Sequence, residues 1–173
     1  MAQKPEPADC THPLRIRGRL ANPQLIYYRI LPAPKSAFRH PSLSPSSFRK
    51  AVLAAMAQYR ALGCVDFIER AEANGKLPLA ATLVEFSMTP RKHESCPSFR
   101  VFERGKAHTG PMEAATFVHF NQEANWVKRQ PGDDPLLATA IHEIGHVLGL
   151  AHCTDPRSVM FVQYRADRTQ LHD

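Results

Sequence analysis

Apolar positions recur at three- and four-residue spacing in two stretches of the chain. In the first, Phe48, Val52, Met56 and Tyr59 form the stripe, with Ala51, Ala55 and Leu62 beside it. Ser44-Pro45-Ser46-Ser47 supplies an N-cap and a proline at the first helical position, and Gly63 supplies a stop, so the spacing predicts an amphipathic helix over 45–62. The second stretch follows the break Pro131-Gly132-Asp133-Asp134-Pro135. It reads as a helix from Pro135 to Leu148, with Asp134 as cap and Gly149 as end. Runs of β-branched and aromatic residues predict strands at Leu25–Ile30, Cys64–Glu69, Ala81–Ser87 and Ala115–Phe120. Phe99, Val101 and Lys106–Thr109 offer briefer ones. Residues 32–47 and 89–111 are rich in loop-forming residues, and no repeat is present. Strands and helices mix without regular βα alternation, which predicts one α+β domain over 21–173 behind a Pro-rich leader, 1–20, that could be a short pro-segment.

Composition changes this picture little. The chain has 173 residues, 43% of them apolar, enough for one core and too few for two domains. No apolar run reaches the ~20 residues that span a bilayer, and Met1–Cys10 lacks the apolar centre of a secretory signal. The net charge is +6, but its 22 basic residues are scattered and form no basic helix or aromatic-basic motif. A solvated basic face therefore explains them better than nucleic-acid binding. Cys10, Cys64, Cys96 and Cys153 contain no C-x-x-C pair; their three possible pairings stay open, as does the redox compartment.

The chemistry is concentrated in His142-Glu143-Ile144-Gly145-His146-Val147-Leu148-Gly149-Leu150-Ala151-His152. At ~100° per residue, His142 and His146 lie one turn apart on the same helix face and can address one metal ion. Glu143 lies beside that face, within reach of a metal-bound water without being a ligand. A straight helix would carry position 152 away, but Gly149 can adopt a left-handed conformation and turn the chain so that His152 swings back. Three imidazoles and a water make the open tetrahedral site of a catalytic zinc. Buried histidines without a metal are the bland alternative. Five fixed residues match by chance at fewer than about one in a million start positions, so the metal reading is the stronger.

HExxHxxGxxH followed by Met160 resembles the metzincin zinc peptidases, and Asp155-Pro156-Arg157-Ser158-Val159-Met160 resembles their Met-turn. Within that clan the match is closest to the matrixins, the catalytic domains of matrix metalloproteinases. Phe117-Val118-His119-Phe120-Asn121 with Trp126, Lys106-Ala107-His108, and the Leu25–Ile30 strand resemble further matrixin segments, so the likeness covers about residues 24–171. It implies a mixed, twisted sheet packed on two main helices, with the zinc site on the second. It implies His142, His146 and His152 as ligands of a catalytic zinc, Glu143 as general base, and Met160 as an apolar floor. His93, His108 and His119 fall where matrixins place ligands of a structural zinc, although Ser95 stands in place of an aspartate. Glu94 or water could complete that shell, and surface histidines without metal are an equal reading. Asn121 and Ala124 replace the family's calcium-binding acids, so calcium is expected to be absent. A peptide substrate is expected to add as a strand near Lys106–Gly110, including Ala107 and His108. The pocket for the residue after the scissile bond should lie between the zinc helix and Phe161–Tyr164. Small Ala138 leaves it open to medium or large apolar side chains, while Val162 replaces the family's wall proline.

A monomer is expected, and the resemblance also implies an extracellular enzyme acting on peptides or proteins. Two departures stand against it. The chain stops near where the family's C-terminal helix would begin, so that helix is expected to be missing or truncated. The latency motif of matrixin pro-segments is absent, and Cys10 with Asp9 is its only echo: either group could occupy the open zinc position. The alternatives to a zinc endopeptidase are a weak or inactive zinc-containing protein-binding domain and a toxin- or inhibitor-like partner domain with a structural zinc. Retention of Glu143 favours the enzyme, because a structural site needs no general base.

Overall fold

In a computed structural model of the chain, the structure describes residues 24–32, 43–63, 65–70, 77–78, 81–90, 105–110, 115–163 and 165–171. Among the described residues five strands form one sheet: β1 (Leu25–Ile30), β2 (Asp66–Glu69), β3 (Thr82–Thr89), β4 (Ala107–Thr109) and β5 (Ala115–Asn121). Two helices accompany them, α1 (Pro45–Ala61) and α2 (Pro135–Val147). Both helices begin as their cap residues dictate. Ser44 and Ser47 exchange side-chain bonds with each other's backbone N–H, and the Asp134 carboxylate accepts from Leu137 N at 3.1 Å.

The sheet order is β2-β1-β3-β5-β4. Every pairing is parallel except β4 with β5, which makes the sheet mixed, as the resemblance implies. The link from β1 through α1 to parallel β2 is a strand–helix–strand unit that the apolar pattern does not reveal. Hydrophobic alternation reports which face of a strand is buried and not which way its neighbour runs. Along the buried face Tyr28 sits opposite Val84, Phe86 opposite Val118, and Met88 opposite Phe120, continuing to Ala107 on β4. The Phe48 ring of α1 meets Phe120 edge-on at 5.0 Å, which seats α1 on this stripe. Tyr59, 3% exposed, donates its hydroxyl to the Ile141 carbonyl of α2 at 2.9 Å and so ties the two helices together.

Beyond α2 the described residues contain turns and bends rather than helix. The final segment is held on α1 by Gln58, whose amide donates to the Thr169 carbonyl at 2.7 Å and accepts from Leu171 N at 2.9 Å. The leader (1–20), with Asp9 and Cys10, and the strand candidates Phe99 and Val101 lie outside the described residues.

Candidate metal centre

Helix α2 ends in a way that brings the third histidine back. Gly149 has φ +93°, its N–H bonds the His146 carbonyl, and the Leu150 N–H bonds the Gly145 carbonyl, both at 2.9 Å. This is the doubly bonded helix terminus that requires a left-handed residue, and glycine adopts it without Cβ strain. The returning chain is then clamped. Cys153 N–H donates to the Met160 carbonyl at 3.0 Å and Val162 N–H to the Cys153 carbonyl at 3.2 Å. Cys153 is also disulfide-bonded and buried; Cys10, Cys64 and Cys96 lie outside the described residues.

The three rings converge. His152 Nε2 lies 3.0 Å from His142 Nε2 and 3.1 Å from His146 Nε2. A tetrahedral zinc with ~2.05 Å bonds to nitrogen needs its ligands roughly 3.3 Å apart, so the donor set fits that ion. The tautomers fit as well. His142 Nδ1 bonds the Val159 carbonyl at 2.7 Å, and His146 Nδ1 bonds the Leu150 carbonyl at 2.8 Å. A carbonyl can only accept, so each Nδ1 carries the proton and each Nε2 turns a lone pair toward the shared point. Burial lowers the pKa of His142, against a smaller raising effect from Val159, and so opposes a proton as the shared cation. Among the described residues these three histidines are the group that could hold a metal ion.

Gly145 lets the floor of the site approach. A Cβ there would lie 2.3 Å from Met160 Sδ and 3.0 Å from the Tyr59 hydroxyl. Met160, 1% exposed, therefore packs directly beneath the histidine-bearing turn.

Glu143 is 5% exposed and accepts a 2.7 Å hydrogen bond at Oε2 from the Thr109 hydroxyl of β4. Burial pushes its carboxyl up to about 7, with the Thr109 bond opposing part of the rise. In the unfolded chain this group titrates near ~4.3. Between these values the folded protein therefore binds more protons, and stability is lost as pH rises. Chelated protein with Glu143→Gln should be more stable than chelated parent by on the order of 3 kcal/mol at pH 8, and equal to it near pH 4. Urea titrations across that range measure the difference; parallel curves would refute it.

A cleft of about 440 Å³ runs over the three histidines and Glu143. Ala107, His108, Thr109, Ala138, Val159, Phe161 and Val162 also line it, so the structure gathers most of the sequence-derived substrate residues there. Tyr164 lies outside the described residues. Arg165 and Arg168, which sequence reasoning passed over, line the cleft too. Their guanidinium groups are engaged, Arg165 with Asp167 at 3.0 Å and Arg168 with the Pro156 carbonyl at 2.7 Å.

His108 and His119 sit directly opposite each other on β4 and β5, ring centroids 5.2 Å apart, while His93 lies outside the described residues. Asn121 is spent inside the fold: its amide donates to the Gly105 carbonyl at 3.1 Å and accepts from Glu123 N at 2.9 Å. Beside it Lys106 contacts the Asn125 carbonyl and lies 4.5 Å from the Trp126 ring centroid. Burial, with a smaller effect from Arg129, pulls the Lys106 ammonium down to about 8.

A family model described as matrixin matches residues 22–173. Among characterised proteins, the macrophage metalloelastase of Oryctolagus cuniculus is 44% identical over 47 residues, covering 27% of this chain and 10% of that protein. The matrilysin of Felis catus is 44% identical over 49 residues, 28% of this chain and 19% of its own length. Matrix metalloproteinase-27 of Tupaia belangeri is 35% identical over 79 residues, 43% of this chain and 15% of its own length. The chain thus aligns with less than a fifth of each of these relatives.

Proposed function

The chain belongs to the matrixin family, and from that premise we propose that it is a zinc-dependent endopeptidase. The observation that carries this reading is the convergence of three imidazole Nε2 atoms beside the buried Glu143 carboxylate. His142, His146 and His152 would hold the ion. Zinc in that position supplies Lewis acidity, which makes a water acidic near neutrality and stabilises charge building on a carbonyl oxygen. Glu143 takes the proton of the attacking water and passes it to the leaving amine. Thr109 bonds its Oε2, and the proton transfer is assigned to the other oxygen, Oε1. An inactive protein-binding domain is the weaker reading, because it has no use for a carboxylate buried at this point.

The substrate would be an extended peptide lying along β4, whose outer edge carries no partner strand among the described residues. Asn121 N bonds the Lys106 carbonyl and Gly110 N bonds the Phe117 carbonyl. Antiparallel alternation then turns the backbone groups of Ala107 and Thr109 outward, free of β5. Peptide main chain can pair with them. The cleft between Ala138 and the Phe161–Val162 wall would take a medium or large apolar side chain after the scissile bond. Chelator-sensitive cleavage of a quenched peptide library tests the whole reading. Ala138→Phe should cut kcat/KM for peptides with leucine at that position by roughly tenfold while sparing alanine peptides. Selection of acidic or small residues by the parent would refute the pocket assignment.

We further propose that His108 and His119, with His93, contribute to a second, structural zinc. Calcium is not expected at Asn121, whose amide groups are already committed within the fold. No helix among the described residues is long and apolar enough to cross a membrane. An extracellular setting and a monomeric state are proposed on family grounds.

A further inference from the structure

We infer that Thr109 is a positioning residue, holding the Glu143 carboxylate in the orientation in which Oε1 addresses the substrate water. The inference rests on the proposed role of Glu143 and adds a residue to it. Three observations converge on it. The Thr109 hydroxyl reaches Glu143 Oε2 at 2.7 Å and lies 3.2 Å from the Glu143 backbone oxygen, so it touches one residue at two points. Its one proton faces two acceptors on that residue, and the shorter contact goes to the carboxylate. Thr109 belongs to β4, an outer strand of the sheet, whereas Glu143 lies on α2, which carries two of the metal ligands. The bond therefore joins the strand proposed to receive the peptide to the group proposed to move its proton. Finally, a β-branched side chain has few χ1 options, so the threonine hydroxyl is held where it is with little entropy to lose.

A hydroxyl that merely satisfied a buried carboxylate would contribute to stability alone. One that aims the carboxylate controls the chemical step, because small misplacements of a reacting group cost rate steeply. Thr109→Val keeps the shape and removes the hydroxyl; Thr109→Ala, which demands less of the surrounding packing, serves if the valine variant fails to fold; Thr109→Ser restores the donor. On zinc-loaded protein with a quenched peptide, the valine and alanine variants should lose roughly 10- to 100-fold in kcat. KM should stay within about twofold of the parent, since ground-state binding is not what is lost. Zinc content should be unchanged, and the serine variant should recover most of kcat. Parental kcat in the valine or alanine variant, a serine variant as slow as alanine, or a loss confined to KM would each overturn the inference. Glu143→Gln run alongside separates the two layers. If it cleaves like the parent, the base assignment fails and the inference falls with it. If it is inactive while Thr109→Ala is not, only the inference fails.

Discussion

Glu143→Gln should lower kcat by about 10³- to 10⁴-fold while leaving zinc content unchanged, since one general acid–base group contributes up to roughly that factor. The substituted glutamine would have nearly the shape of the native side chain and still offer an oxygen to the Thr109 hydroxyl, so the packing around α2 is preserved. The supports of the proposed ligands are untouched: His142 bonds Val159 and His146 bonds Leu150, and neither contact involves Glu143. What disappears is the capacity to take a proton. The effect should fall on kcat and kcat/KM together, the pattern of an interaction made only in the transition state. Metal analysis and a peptide assay on one preparation make the measurement. A variant within about tenfold of the parent would show that another group accepts the proton.

The parts of this architecture that were readable in advance are those set by neighbours along the chain. The start of α1 depends on Ser44, Pro45 and Ser47, and the end of α2 on Gly149; both appear where the local rules place them. The His142–His146 spacing and the return of His152 follow from helix geometry and one left-handed residue, so the tripod was legible as well. Three kinds of feature were not. Strand direction was hidden, because alternation fixes a buried face and leaves the partner open; β1, β2, β3 and β5 run parallel without any local mark of it. The supports of the ligands were hidden because the carbonyls of Leu150 and Val159 belong to the backbone, which every residue carries. Thr109 was hidden because it is 34 residues from Glu143, and only the placement of β4 beside α2 brings them together. A hydroxyl residue next to His108 on a predicted strand was the one signal available, and it does not name a partner.

The second large effect concerns the metal itself. Saturating zinc should raise the melting temperature of the parent by roughly 10 °C over the chelated protein. This follows from about 4 kcal/mol of linkage at a thousandfold excess over Kd and about 2–4 °C per kcal/mol for a chain of this size. His152→Ala should shrink that rise, at the same zinc concentration, to whatever the proposed second site at His108 and His119 supplies. His152 is the informative ligand because it lies off the helix: its loss leaves α2, its Asp134 cap and its Gly149 terminus intact. The metal-free states should also order in a definite way. With each Nδ1 proton committed to a carbonyl, the His142 and His146 lone pairs face the His152 nitrogen at 3.0 and 3.1 Å. A single proton on that nitrogen can satisfy one of them and leaves the other opposed. Removing the His152 ring relieves this crowding, so chelated His152→Ala should melt no lower than chelated parent. A variant that gained as much stability from zinc as the parent would mean that the ion is held without His152. One that melted far below the chelated parent would mean that the ring supports the fold by packing rather than by binding metal.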